Sequence, residues 1–348
     1  MATKDPDLEA TDNYTKGVRW IPALALVACS SSPSAPPPET FTFGPYHLTP
    51  AQEITDQCVS ATLHNETELA INAVELTTAI GFHHSNWFFV PDNRYDGPDG
   101  TWNCADRMFD QANAGTAGGV LFAQSTQSPH EIQQFPKGVA IVIPPHSRIV
   151  ATTHLLDAGD TDLDVPLSLE ITPIAEATTR LAALSFENES IQIPPHRVSR
   201  FTIECDIGTQ SRNLTGAAPD FNIYYVLAHY HTLGTELKLE ALRGDGTATT
   251  VYDTTNRIGD TLGGQVLPKF SMTGYEKLRF ACVYDNPRDA TVGWGVGDQE
   301  MCVLLAFTDS SYVWAGGDIN VDSPGAGSDT GTEIDFTHAC SLITADAN

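Results

Sequence analysis

From Phe41 onward, apolar residues come in short runs or alternate with polar ones, and turn-forming residues separate the runs. Val139 to Ile143, Ser147 to Thr153, Pro166 to Thr172, Val198 to Cys205, Glu236 to Leu242 and Leu278 to Tyr284 all have the length and composition of strands. Phe221 to Leu227 is β-branched and aromatic enough to predict a buried strand. Long segments with a 3.6-residue period are scarce, and the one helical turn expected lies around Ala105 to Ala114. The pattern predicts an all-β chain built of antiparallel β-sandwiches.

One phrase occurs twice: Ile143-Pro144-Pro145-His146-Ser147-Arg148 and Ile193-Pro194-Pro195-His196-Arg197-Val198. Proline lacks an N–H and has a fixed φ, so each Pro-Pro predicts a turn between two strands, with His146 and His196 exposed in the turns. The echo suggests equivalent hairpins in two similar domains. With 348 residues the length suits about two domains. The boundary is expected near Thr172 to Glu176, giving an N-terminal sandwich over 41–174 and a C-terminal one over 175–348.

The first 40 residues read differently. Lys16 and Arg19 precede the apolar run Trp20 to Ala28, which is too short to span a bilayer. Leu26-Val27-Ala28-Cys29 resembles a bacterial lipobox, so residues 1–29 are expected to be an export leader, with Cys29 lipidated at the cut. Residues 30–40 form a Pro/Ser spacer that cannot build a core. The predicted location is the cell envelope, as an exported protein with a lipid anchor as its only link to the membrane.

Composition narrows the function. A formal charge of -26 repels nucleic acid phosphates, so no nucleic acid partner is expected. Seven cysteines show no Cys-x-x-Cys pair, which excludes a zinc ribbon or a thioredoxin motif. Setting Cys29 aside leaves an even number, the count that suits three disulfides in an exported chain, with 15 connectivities open.

Three histidine groups carry the candidate chemistry. His229 and His231 follow the Phe221 to Leu227 strand as a His-x-His pair, so both imidazoles project to one side and can grip one metal ion. His83 and His84 are adjacent, which in a regular strand leaves one inside and one outside. Both reach a common metal only at an irregular strand end, and Gly81 permits such an irregularity. His154 ends the run Arg148 to Thr153. Met301, in Glu300-Met301-Cys302, reads either as core filler or as a thioether ligand suited with imidazoles to Cu(I).

His-His, a lone His, His-x-His and Glu-Met-Cys, in that order, resemble the copper type II ascorbate-dependent monooxygenases, the family of peptidylglycine α-hydroxylating and dopamine β-monooxygenases. The resemblance covers roughly Phe41 to Leu342. It implies two jelly-roll-like β-sandwiches facing each other across a solvent-filled cleft. It implies an electron-transfer copper on His83, His84 and His154, and an oxygen-activating copper on His229, His231 and Met301. It also implies the disulfides Cys58-Cys104, Cys205-Cys340 and Cys282-Cys302. The implied reaction hydroxylates an sp3 C–H bond with O2 and ascorbate or an equivalent one-electron reductant, acting on a small-molecule substrate with a redox partner as a possible electron source.

One departure bears on the substrate. Where peptide-hydroxylating members carry an arginine and a tyrosine that hold a carboxylate, this chain has Leu227 and Leu305. A glycine-extended peptide is therefore not the expected substrate. A copper-binding or copper-storage lipoprotein without catalysis is the alternative, and a structural sandwich with incidental histidines ranks last. His47, His64, His130 and His338 lack a ligand context. The triplets beginning at Asn65, Asn188 and Asn213 match the glycosylation pattern only by its short form. Asp92 to Gly100 resembles a calcium loop in composition but lacks the glutamate at the proper offset, so a solvated turn is expected.

Overall fold

The structure is a computed structural model that describes residues 34–318, 325 and 327–347. The leader, the lipobox and Cys29 lie outside the described residues. The described residues from Ser34 onward form one compact unit. Among the described residues strands begin at Glu39, and no helix is long and apolar enough to cross a membrane.

The first half is a sandwich. One face is a five-stranded antiparallel sheet in the order Gly100–Asn103, Glu53–Thr62, Ser147–Leu156, Phe82–Pro91, Gly119–Ala123. The opposing face contains Glu39–Leu48, Leu163–Ile174, Leu69–Thr78 and Val139–Ile143. Val59, Trp87, Ile149 and Leu155 from one sheet meet Leu48, Val74, Ile141 and Leu167 from the other in a single core. The second half repeats the design. Its outer sheet centres on Gly234–Leu242, Lys277–Asn286 and Arg197–Cys205, and its inner sheet on Thr179–Asn188, Val303–Thr308 and Asn222–His229.

The halves are joined through the backbone. Val139–Ile143 pairs in parallel with Thr179–Asn188, so the inner sheets of both sandwiches are one sheet of 11 strands. The chain crosses from one half to the other between Ile174 and Thr179.

That joint explains why Asn222–His229 carries so little polar pattern. Val226 and Ala228 face the core of their own half, whereas Tyr225 and Leu227 pack into the core of the first half. The strand is buried on both faces, so alternation has nothing polar to alternate with. His229 shares its face with Tyr225 and Leu227 and therefore points at the first half.

The two Pro-Pro-His phrases form matching turns. His146 and His196 sit at φ 56 and 55, in the left-handed region, and both are exposed. Each turn is held by a buried asparagine: Asn65 Nδ2 donates to the Pro144 carbonyl at 2.7 Å, and Asn286 Nδ2 to those of Ile193 and Pro194 at 3.0 and 3.1 Å. The expected helical turn resolves into a 3-10 turn, Cys104–Arg107, and a helix, Gln111–Ala117. Asn103 and Asp110 cap them, and Met108 at φ 51 separates them.

Asp92 to Gly100 wraps a guanidinium. Arg148, only 2% exposed, donates to the carbonyls of Tyr95 and Gly97 and, at 2.6 Å, to the Asp99 carboxylate. Oxygens that looked available to a cation are taken by a side chain from the neighbouring strand.

Candidate metal centre

His83 and His84 open the strand Phe82–Pro91, and an irregularity there sends both rings the same way. Pairing with Ser147–Leu156 runs Phe82 to Leu155 and then His84 to His154, so His83 is an extra residue without a partner. Such a bulge breaks the alternation of faces. Gly81, at φ 97, supplies the left-handed residue that starts it, and a Cβ there would lie 2.9 Å from Val165. His154 is the cross-strand neighbour of His84, inside its strand rather than at its end.

His229 and His231 arrive from the other half. Together the five imidazoles form one buried cluster, in which every ring is between 3 and 9% exposed. Ring centroids of His83 and His154 are 4.4 Å apart, those of His84 and His229 4.7 Å, and those of His83 and His231 5.1 Å. His83, His84 and His154 bring ligand nitrogens within 4.8 Å of one another, and so do His84, His229 and His231. The two groups expected on opposite sides of a cleft are thus in contact, and His84 belongs to both.

Hydrogen bonds orient the rings. The Thr126 hydroxyl donates to the Tyr230 carbonyl at 2.8 Å, so its oxygen is left to accept from Nδ1–H of His229 at 3.2 Å. Nδ1–H of His231 donates to the Gln299 carbonyl at 2.8 Å. In both residues the lone pair then sits on Nε2, and both Nε2 atoms are buried without a partner. His154 Nε2–H donates to the Glu53 carboxylate at 2.8 Å, which leaves its lone pair on Nδ1. Nδ1 of His83 and both nitrogens of His84 are also buried and unpaired. Buried polar atoms without partners are uncommon and costly. Five such atoms lie on four converging imidazoles, which when neutral offer one lone pair each, and those lone pairs describe a site that calls for an electrophile.

Burial keeps four of these rings, those of His83, His84, His229 and His231, neutral. It lowers the His83 pKa to about 3, with the His154 and His231 charges adding to the effect. His84 and His229 are pushed well below the usual histidine value, first by burial and then by neighbouring imidazoles. His231 is lowered mainly by burial, partly opposed by its bond to Gln299. Neutral imidazoles are the form that binds metal.

Met301 lies next to the cluster in sequence through Gln299 and Glu300. It is half-buried; its carbonyl accepts from the Tyr284 hydroxyl at 2.6 Å, and Cys302 beside it is bridged to Cys282. Its backbone is therefore held from both sides. Glu300 holds the other arm: its carboxylate accepts the N–H of His231 at 2.8 Å and of Leu233 at 2.7 Å. Burial nevertheless raises its pKa to about 7 against those two bonds.

Sequence reasoning missed the segment Gln124 to Ser128. Gln127 N–H donates to the His83 carbonyl, Thr126 orients His229, and Ser125 Oγ accepts the N–H of Leu262 from the second half. Ser125 itself is held by the buried Glu131, whose pKa burial raises to about 7. Gln-Ser-Thr-Gln-Ser looks like an ordinary polar loop, and nothing in its pattern distinguishes it.

The remaining candidates fall elsewhere. Leu227 and Leu305 are cross-strand partners, 2 and 6% exposed, packed in the first-half core. His47 and His130 are exposed and pair with Asp164 and Glu75, and His338 is buried against Asn188. Asn65 and Asn188 are buried, which removes them as glycan acceptors. The three disulfides Cys58-Cys104, Cys205-Cys340 and Cys282-Cys302 are formed as the resemblance implies. Three bridges in one chain belong to an oxidising, exported setting.

No protein-family model and no curated protein matches the chain. Among solved structures, the major capsid protein P2 from bacteriophage PM2 is similar with a TM-score of 0.27 and 7% identity, covering 78% of this chain and 97% of that one. An archaeal virus structure described by its triple jelly roll fold and turret assembly scores 0.23 at 12% identity, covering 75% and 58%. The PBSX exported protein XepA scores 0.18 at 9% identity, covering 78% and 85%. Scores this low carry no argument about function. The all-β sandwich architecture rests on the chain's own strand pairing.

Proposed function

We propose that this chain is an exported copper-dependent monooxygenase that hydroxylates an sp3 C–H bond. The observation that carries the reading is the set of buried, unpaired nitrogens on His83, His84, His229 and His231, with His154 presenting Nδ1 beside them. All-imidazole donors with a thioether suit copper better than magnesium or calcium, which prefer oxygen. The matching disulfides add support through the same resemblance.

Copper, if held by such donors, would supply one-electron chemistry and reactivity toward O2. The reaction consumes one O2, two electrons and two protons, places one oxygen atom in the C–H bond and releases the other as water. Ascorbate or an equivalent reductant provides the electrons. His83, His84 and His154 form the electron-storing group, while His229, His231 and Met301 form the oxygen-binding group. Thr126, Gln299 and Glu53 hold protons on the far nitrogens of His229, His231 and His154, which fixes the tautomer each ring presents. The positions where the resembled family carries its carboxylate-holding arginine and tyrosine are Leu227 and Leu305, buried in the first-half core, so no such anchor exists there and a glycine-extended peptide is not the proposed substrate. Cys29 is proposed as the lipid attachment point that keeps the enzyme at the cell envelope.

A second reading is favoured by the contact between the two groups. A copper-storage protein needs adjacent buried ligands and no space for substrate, and His84 shared between both groups fits that use. The test is copper content after loading and desalting, followed by oxygen uptake with ascorbate and candidate substrates. Bound copper with substrate-dependent uptake that disappears in Met301→Ala supports the enzyme. Bound copper without uptake under any reductant supports storage, and less than one copper per chain removes both.

A further inference from the structure

The histidine cluster is buried, but one of its residues, His83, lines a cavity. A space of about 370 Å³ lies beside the bulge, with His83 in its wall. Its size falls within the range of small-molecule pockets, ~300 to 1,000 Å³, and is far too small for a protein redox partner to enter. Ala79, Ile80, Phe82, Pro129, Leu156 and Leu163 make most of the wall apolar. Its polar side chains include Gln127 and Thr161. No lysine or arginine lines it, and it holds one carboxylate, Asp157, one oxygen of which is occupied by the Gly159 N–H at 2.8 Å. On a chain of charge -26, an anion entering here meets a like charge and no cation.

We propose that this cavity is a binding site for a neutral, partly apolar small molecule, which it brings against His83. It is the place where such a molecule meets the histidine centre, and it selects against carboxylates and other anions. Its use as a substrate or reductant site rests on the copper reading above, whereas the binding itself does not. Gly81 lies in the cavity wall and its left-handed backbone also starts the bulge that turns His83; a Cβ there would meet Val165 and Leu163 at 2.9 and 3.0 Å.

The test uses the metal-free full chain with its disulfides intact and carbon-13-labelled histidines, titrated with phenol as the neutral probe and benzoate as its anionic counterpart. Phenol is expected to shift the His83 ring signal saturably in the millimolar range, and benzoate to bind at least ~10-fold more weakly, the scale of a lost charge complementarity. Ala158 and Thr161 line the cavity and are exposed, so Ala158→Trp and Thr161→Trp fill it without touching the core. Each is expected to weaken phenol binding ~10-fold or more, with disulfides and circular dichroism unchanged. No shift at His83, equal binding of benzoate, or unchanged binding in both tryptophan variants overturns the proposal. Copper content measured in parallel separates the two readings: phenol bound without copper supports the cavity and removes the enzyme, whereas copper bound without phenol removes the cavity alone.

Discussion

The two histidine groups reach one another by opposite means. His83, His84 and His154 are carried on adjacent strands of one sheet, and a single bulged residue converts an alternating pair into a convergent one. His229 and His231 need no bulge, because residues two apart on a strand already share a face. They need anchoring instead, because they stand where the strand ends. Glu300 holds the backbone of His231, Gln299 its ring, and Thr126 from the other half holds His229. The first group is thus set by strand pairing, the second by side-chain bonds that cross between segments. The second should be the easier to loosen.

The sharpest way to break this comparison is His84→Ala. His84 is a member of both buried histidine triads, so both should fail together, and copper per chain should fall toward zero. His229→Ala, in the second group alone, should remove about half the copper. Equal losses in the two variants would show that the cluster binds as a single unit.

Next in size is a stability effect. Metal-free protein carries four buried histidines with lowered pKa values. Below pH ~6.5 the unfolded chain takes up protons that the folded rings refuse, so stability falls with pH by up to about 1.4 kcal/mol per pH unit for each ring. For His83 the window runs down to about 3. Glu131 and Glu300, raised to about 7, act with the opposite sign between their ordinary range and 7, since the folded state holds their protons. Two carboxyls against four imidazoles leave a net loss in acid. Urea titrations from pH 7.5 to 4.5 should show it, and copper loading should reduce it by occupying the rings.

Arg148→Met should cost about 3 kcal/mol, because it leaves Asp99 and two loop carbonyls without their buried donor. Chemical denaturation measures this, and copper content should not change.

Smaller still are the orienting bonds. Thr126→Val should weaken copper binding at the second group about 10- to 100-fold, and Glu53→Gln should have a lesser effect on the first, where strand pairing still positions His154. Competition with a copper chelator distinguishes the two. Equal effects would remove the contrast between paired and anchored groups. The smallest change is expected at His146→Gly and His196→Gly. Both side chains are exposed in left-handed turns, where glycine is at ease, so stability should move by less than about 1 kcal/mol and copper not at all.

The sequence by itself determined the strands, the turns and the ligand inventory, because each depends on neighbours along the chain. Val139–Ile143 appears with the expected ends, and both Pro-Pro-His turns form where proline cannot join a ladder. The His-x-His pair needed only the period of a strand. Cysteine pairing was legible only through the resemblance. Tertiary structure alone decided that the halves share a sheet, that Leu227 and Leu305 fill a core, and that five imidazoles close on one another. It alone chose Gln124 to Ser128 as the segment between the histidine groups. These are contacts between residues far apart in sequence. Their partners are selected by burial and by unpaired donors and acceptors, and no local pattern records that selection.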